Sequence, residues 1–394
     1  MDNFVPFSGK FEAGQLSRRF GCFLSFQFRV QCARILGWFG FSMSEGLIMQ
    51  MQKIVLCRLL APMLAAVAGP ALATSANSPS SSNAIGEVRD AGQQVSNFGS
   101  VNVAQELASR LTGMLPPGAN FGGTGTGRFQ LPGQGQTGLA GAGQPVWNAW
   151  AAYSHSNVAF NFAPRQSSGN IEVGMAGVDY TLASRVIVGV AVAGDRTRIG
   201  LNFNGGNVSG SGWTIAPYVG IPLNRNWALD ATVGMGRTNV DVNSGGGTGT
   251  YRSERTIGAL GASYRGGTGN WQLSGRGGLL FANDRLGSYT LSNGTFISDG
   301  KVNVTQLRIG GQAGYNFGGV VPYVGLTYIY DIDRPDQQPV AGQNAANDRD
   351  AWTPTIGIRF SSGGALYGGI QYSSEQSRSQ VKNNQWLFNL GLRF

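Results

Sequence analysis

One histidine in the chain has neighbours that could take part in catalysis. His155, the only histidine in 394 residues, stands between Ser154 and Ser156, so a base and two hydroxyl groups are adjacent in sequence. Nucleophilic catalysis also needs an acid that orients the base, with all three groups in mutual reach. The sequence places no acid there, and we interpret His155 as a rim residue at the end of a strand. We expect no catalytic site and no enzyme activity.

A run of aspartates is the second feature with chemical potential, because carboxylates bind hard cations. Five of them flank one segment of the C-terminal third: Asp331, Asp333, Asp336, Asp348 and Asp350. Their spacing does not follow that of a calcium-binding loop. A solvated surface loop is the leading interpretation, and surface adhesion or weak cation binding is the alternative.

Cofactor, metal and nucleic-acid chemistry have little further support. The three cysteines, Cys22, Cys32 and Cys57, lie before the cleavage site described below, and one histidine cannot form a metal site. The glycine-rich stretch 245–249 is typical of a turn rather than of a phosphate loop. The net charge is +9, but the arginines are scattered rather than clustered. We therefore expect no metal, no cofactor and no nucleic-acid partner.

The N-terminal part of the chain carries the pattern of an export signal. Between Met49 and Ser75, two cations precede a short apolar core, and a small-x-small triplet follows it, which is the order of a secretory signal. The core is too short to span a membrane as a helix. We predict a signal peptide over 49–73 with Ala71 and Ala73 at the cleavage site. Residues 1–48 remain an unassigned upstream extension.

Residues 74–145 are predicted to be a short, mostly disordered passenger or linker, because Gly, Ser, Asn and Gln dominate them. One helix near 102–114 interrupts this segment. Apolar residues recur there at spacings of four, four and three, which places them on one stripe: Val103, Leu107, Leu111 and Met114. Asn102 with Gln105 can cap the start of this helix.

From Val146 to Phe394 the hydrophobic pattern has a period of two. Val188, Val190 and Val192, for example, alternate with Gly189, Ala191 and Ala193. Each alternating segment is long enough to cross a bilayer at a tilt. With 62 glycines and only 12% charged residues, the opposite faces are small and polar. This pattern is typical of strands with one face toward lipid and one toward an enclosed interior.

Twelve such segments can be counted, with starts near Val146, Asn170, Arg185, Ser211, Trp227, Arg252, Trp271, Lys301, Val320, Ala351, Ala365 and Asn384. An even number of antiparallel strands can close into a transmembrane barrel without a free edge. Short turns are predicted at 183–184, 224–225 and 361–364, on the periplasmic side. Long outer loops are predicted at 157–168, 198–208, 240–250, 284–300 and 332–350.

A soluble β-sandwich is the competing architecture, since its strands also alternate. A sandwich turns its polar face to water and should carry Lys, Glu and Thr there. In this chain the opposite face is largely Gly, Ala, Ser, Thr and Arg, and the only lysines after residue 73 are Lys301 and Lys382. The barrel is therefore favoured.

The chain ends NNQWLFNLGLRF, with an unbroken apolar face formed by Trp386, Phe388, Leu390, Leu392 and Phe394. This segment resembles the β-signal of outer-membrane proteins, in which a terminal Phe closes an alternating strand. The resemblance implies that the barrel-assembly machinery reads this strand and that it then pairs with the first.

Twelve strands that follow a helix in an exported chain resemble the autotransporter (type V secretion) translocator domain. The resemblance covers 146–394 and rests on Trp150, Tyr153, Gly174, Gly177, Asp179, Tyr180, Tyr218 and Gly220. It implies a lumen-plugging helix carrying Val103, Leu107, Arg110, Leu111 and Met114, with Arg110 facing lumen acids. The Gly/Gln linker before Val146 is longer than the family usually has, and residues 74–101 are too short for a β-helical passenger.

The resemblance implies an outer-membrane translocator that exports or displays its own N-terminal segment. The alternatives are a porin-like channel, biased toward anions by inward-facing Arg237, Arg276 and Arg359, and a surface adhesin acting through its loops. Either way we expect a Gram-negative outer membrane with loops at the cell surface. The implied partners are outer-membrane lipid and lipopolysaccharide, the barrel-assembly machinery, periplasmic chaperones and the Sec translocon.

Deletion of Phe394 is the first test. Loss of the terminal aromatic should lower the amount of folded barrel in the outer membrane, because the last strand then lacks the end of its assembly signal. The measurement is the heat-modifiable band on a semi-native gel. An unchanged band would count against the assembly-signal interpretation.

Overall fold

The computed structural model describes residues 100–105, 146–161, 166–182, 186–202, 204–224, 226–244, 246–334, 348–361, 366–379 and 381–394. Residues 100–105 are helical. The strands, in chain order, are β1 (Val146–Phe160), β2 (Ser167–Thr181), β3 (Ile187–Leu201), β4 (Gly206–Pro222), β5 (Trp227–Asn243), β6 (Thr248–Thr268), β7 (Trp271–Leu286), β8 (Tyr289–Thr290), β9 (Phe296–Ile297), β10 (Gly300–Tyr315), β11 (Val320–Asp333), β12 (Asp350–Ser361), β13 (Leu366–Glu375) and β14 (Val381–Arg393).

Twelve of these strands form one closed antiparallel barrel, and β8 with β9 forms a two-stranded sheet in the connection between β7 and β10. The barrel closes where β1 pairs with β14, in a register that runs from Asn148 opposite Arg393 to Phe160 opposite Val381. Two backbone hydrogen bonds of 3.0 Å between Trp147 and Phe394 complete the seam. The predicted twelve-stranded barrel is confirmed.

The period of two separates the side chains into an outer and an inner face. On β3, Val188, Val190 and Val192 are exposed on the outside, whereas Ala191 and Ala193 are buried inside. The same alternation holds on β14, where Trp386, Phe388, Leu390 and Leu392 point outward and Leu387 is buried inside. A hydrocarbon environment would cover this outer apolar band.

The barrel has two ends, which we call the terminal end and the loop end. The terminal end holds the start of β1 and the finish of β14, together with the connections 182–186, 223–226, 269–270, 316–319 and 362–365. The loop end holds the remaining connections, of which 287–299 and 334–349 are the longest.

Three of the predicted long loops are wrong in extent, because the strands continue through most of them. The connection between β1 and β2 is only 161–166, that between β3 and β4 is 202–205, and that between β5 and β6 is 244–247. The alternation persists with polar outer residues: Arg196 and Arg198 are exposed while Ile199 is buried. The strands therefore extend beyond the apolar band at the loop end.

The helix differs from its predicted start. It already includes Ser100, so Asn102 lies within it and does not cap it. Among the described residues, no helix has the length and apolar composition needed to cross a membrane.

Large inward aromatic rings lie on glycines of neighbouring strands near the terminal end. The ring of Tyr218 covers Gly189, and that of Trp150 covers Gly177. The Trp150 indole donates to the Tyr218 hydroxyl at 2.8 Å, and this hydroxyl donates to Asp179 at 3.0 Å. Glycine is needed at these positions because a Cβ would occupy the space of the ring.

Gly189→Ala tests this packing. The added Cβ would lie 2.4 Å from the Tyr218 ring, and such overpacking costs about 1–3 kcal/mol. We expect a lower unfolding midpoint in urea, followed by the gel shift of the folded barrel. Gly174→Ala is the matched control, because nothing lies within 4 Å of its Cβ position. Equal midpoints for the two variants would contradict the packing argument.

Candidate functional site

The helix 100–105 lies inside the barrel lumen. Val103 and Ala104 have no exposed surface. Ser100 reaches β7, since its hydroxyl donates to both carboxylate oxygens of Asp284 at 2.8 and 2.7 Å. Gln105 contacts Gln385 on β14 at 3.3 Å and accepts from Arg308 on β10 at 2.9 Å. One short helix that contacts three strands around a closed sheet must occupy its interior.

The helix points with its N-terminal end toward the loop end. The partner of Ser100, Asp284, lies two residues before the final residue of β7, at the loop end. The partner of Gln105, Arg308, pairs with Gly278, which lies nearer the terminal end of β7. The axis of the described helix therefore runs from the loop end toward the terminal end.

Val103 belongs to the buried apolar cluster of the barrel. The buried cluster that includes Val103 also contains Phe160, Ile171, Ile199, Leu201, Val208 and Ile257. Full burial of one aliphatic side chain of this size contributes about 1.5–3 kcal/mol. The burial of Val103 therefore favours a helix that is docked inside the lumen.

A buried ionic cluster lies at the start of the helix. Arg255 on β6 donates to Asp195 on β3 at 2.6 Å, and its Nε lies 3.7 Å from Asp284. The side chains of all three ionic residues are only 1% exposed. Because two carboxylates share one guanidinium, the donation from Ser100 to Asp284 supplies a further hydrogen bond where negative charge is in excess. The ionic cluster therefore ties the helix to the barrel wall.

A cavity of about 220 Å³ opens between Gln105 and the terminal end. Two predicted lumen arginines, Arg276 and Arg359, line it. Arg276 is paired in bidentate geometry with Asp230. The guanidinium of Arg359 lies 3.9 Å from the centre of the Tyr323 ring and donates to Gln312.

The third predicted lumen arginine is misplaced. Arg237 is exposed on the outer face of β5, in line with Val233 and Met235. The prediction of an inward Arg237 is wrong, because β5 extends beyond the apolar band and an outward arginine there faces water. Its cross-strand neighbours are Trp213 and Glu254.

Four of the five predicted assembly-signal residues lie on the outer face of β14, and Phe394 directly follows this strand; their exposed fractions range from 41% for Phe388 to 70% for Phe394. Several other predicted residues lie outside the described residues: Ala71, Ala73, Leu107, Arg110, Leu111 and Met114.

His155 lies on β1, whereas the described aspartates of the run lie on or beside β11 and β12; Asp336 lies outside the described residues. His155 points outward, with its Nδ1 3.8 Å from Glu172. Asp331 turns inward and pairs with Arg378 at 2.9 Å. Asp348 accepts hydrogen bonds from the Ser379 hydroxyl and, at 2.7 Å, from the Ser379 backbone N–H, and these two bonds hold the pKa of Asp348 below its usual value. Among the described residues no group of three metal-binding side chains occurs.

The ionic cluster at Ser100 was not predicted from the sequence. The usable signal was a charge at an inward position: Arg255 alternates with Ser253 and Ile257, which the strand period places on the inner face. The period cannot show that Asp195, sixty residues away, is the partner.

A closed twelve-stranded barrel with a helix from the preceding chain inside its lumen defines a transmembrane translocator fold. The model of the autotransporter β-domain family matches residues 146–373, more than half of the chain. The chain therefore belongs to the autotransporter β-domain family, and its fold implies a Gram-negative outer-membrane location.

Solved structures agree on the fold. The translocator domain of the autotransporter NalP from Neisseria meningitidis is 12% identical, with a TM-score of 0.57, and the match covers 77% of this chain and 99% of that one. The β-domain of the Bordetella autotransporter BrkA is 17% identical, with a TM-score of 0.51 over 63% and 98%. The transport unit of AIDA-I from Escherichia coli is 12% identical, with a TM-score of 0.51 over 74% and 98%. No curated protein sequence matches the chain.

Arg255→Gln tests the ionic cluster. Its loss leaves Asp195 and Asp284 buried without their cation, and breaking a buried pair in this way costs about 3–5 kcal/mol. We expect a markedly lower temperature for the heat-induced gel shift. Arg237→Gln removes an exposed arginine of the same type and should shift that temperature little. If both variants shift it equally, the cluster does not stabilise the barrel as described.

Proposed function

We propose that the barrel exports or displays its own N-terminal segment, and that its loop end lies at the cell surface. The observation that carries the proposal is the direction of the helix 100–105. Ser100 lies nearer the loop end than Gln105, so the N-terminal end of the described helix faces the loop end. A segment that leaves by that end would be displayed outside.

The membrane orientation follows from the connections. The terminal end carries connections of two to five residues, whereas the loop end carries those of 287–299 and 334–349. Transmembrane barrels keep short turns on the periplasmic side and long loops outside. This rule supports a periplasmic terminal end and a surface-exposed loop end.

The proposed partners follow from the same topology. The outward aromatic residues of β14 would bind the barrel-assembly machinery. The outer apolar band of the barrel would contact outer-membrane lipid and lipopolysaccharide. The signal peptide proposed over 49–73 would direct the unfolded chain to the Sec translocon, and periplasmic chaperones would carry it to the outer membrane.

An epitope tag inserted after Thr74 tests the display. We expect antibody to bind the tag on intact cells, because under the proposal the segment before Ser100 would leave by the loop end. A second strain carrying the tag in the connection between β12 and β13 is the control, and should bind antibody only after the outer membrane is permeabilised.

A tag after Thr74 that stays in the periplasm while the purified barrel conducts ions would contradict the proposal and favour the channel. Both strains must show the heat-modifiable band, so that the comparison concerns folded barrels only.

A further inference from the structure

The outer face of the barrel carries different side chains at its two ends. In the terminal half of the described strands, no outward position carries a charge. Aromatic rings there pair across neighbouring strands, with ring centres 4.8 to 5.3 Å apart: Trp147 with Tyr180, Trp227 with Tyr264 and Trp271 with Tyr315. Such rings are typical of the membrane interface of a transmembrane barrel. The terminal end is therefore an uncharged aromatic rim.

Near the loop end, most charged outward positions of β3 to β10 are basic. Asp241 and Glu254 are the two carboxylates at outward positions of these described strands. Glu172, the β2 neighbour of Arg196, lies 3.8 Å from His155. Positive charge exceeds negative charge on this surface, because six exposed cations lie on the same outer faces. We call these cations the basic belt: Arg196, Arg198, Arg237, Arg252, Arg285 and Lys301.

Strand register places part of the basic belt in one row across four strands. Glu254 on β6 lies between Arg237 on β5 and Arg285 on β7. Arg285 in turn lies directly opposite Lys301 on β10. Opposite side chains on one face have Cβ atoms about 4.5–5.5 Å apart, and like charges there repel.

The charges of this row are not balanced within it. None of its four charged side chains forms a salt bridge in the part of the chain that the structure describes. One carboxylate cannot neutralise three cations. An anion from outside the chain would therefore stabilise the row, above all between Arg285 and Lys301.

We propose that the basic belt binds the phosphate groups of a phosphorylated glycolipid of the outer leaflet, the lipid A part of lipopolysaccharide. The belt adjoins the outer apolar band: Arg237 lies two residues beyond Met235, which is 66% exposed. A lipid whose acyl chains contact the band therefore brings its phosphates to the level of the belt, where basic side chains attract anionic headgroups. A soluble anion would lack the contact with the band.

The difference between the two ends supports a lipid of one leaflet only. Guanidinium and ammonium groups both bind phosphate oxygens, and the aromatic rim at the terminal end has neither at its described outward positions. Binding to the outer leaflet rests on the orientation proposed above, in which the loop end lies at the cell surface.

Native mass spectrometry of the full chain, folded in detergent, tests the proposal. The barrel is titrated with lipid A and, in parallel, with the same lipid after removal of its phosphates. We expect saturable binding of lipid A and at least about tenfold weaker binding of the dephosphorylated form, because only the ionic contacts differ. Equal binding of the two forms would overturn the proposal. Displacement of lipid A by inorganic phosphate at the same concentration would overturn it as well, since it would indicate a site for a free anion.

Arg285→Gln with Lys301→Gln removes the adjacent cations of the row. We expect the affinity for lipid A to fall by at least about tenfold, because two ionic contacts are lost. Arg285→Lys with Lys301→Arg is the matched control, since it keeps both charges and should keep the binding. Unchanged affinity in the Gln variant, or an equal loss in the control, would overturn the proposal.

The heat-modifiable band checks that each variant is folded, and the comparison of the two lipids in the unaltered chain decides the matter if a variant is not. Detergent leaves both ends of the barrel accessible, so the binding can be measured whichever end faces outside. A tag after Thr74 that stays in the periplasm would therefore contradict the proposed display alone. Lipid binding that does not depend on phosphate would contradict the role of the basic belt alone.

Discussion

Satisfaction of every backbone hydrogen bond inside hydrocarbon is the constraint on which the rest of this structure depends. Without water, each unpaired N–H or C=O costs several kcal/mol, so a sheet can cross a membrane only if it has no edge. The pairing of β1 with β14 removes that edge. The outward apolar face of β14 follows from the same requirement, since the strand that closes the barrel must also present apolar side chains to lipid.

Closure creates an interior that must be filled by side chains or by water. In this barrel, the helix 100–105 and inward side chains occupy much of it. Val103 packs among inward aliphatic residues, and Ser100 joins the buried cluster around Arg255. Below the helix, aromatic rings on glycines and arginines around a cavity occupy the terminal half. The helix 100–105 thus occupies part of the lumen with its N-terminal end toward the loop end, an arrangement suited to a barrel that carries its own segment across.

The strands could be predicted because a period of two is visible in sequence, and the start of β5 at Trp227 and of β7 at Trp271 agree with the structure. The loop-end extensions were missed because polar outer residues such as Arg196 look like loop residues once the strand leaves the apolar band. Arg237 was misplaced although it continues the outward series Val233 and Met235, which the strand period places on the outer face. The Arg255 cluster joins β3, β6 and β7 across the lumen, and such long-range pairing depends on barrel register that composition does not encode.

Quenching of tryptophan fluorescence by lipids brominated on their acyl chains can show which face of the barrel contacts the hydrocarbon of the membrane. Two single-tryptophan variants in vesicles suffice, one keeping Trp386 on the outer face and one keeping Trp150, which is 5% exposed and faces the lumen. We expect strong quenching of Trp386 and little of Trp150. Equal quenching, or stronger quenching of Trp150, would contradict a barrel with lipid outside and an enclosed interior.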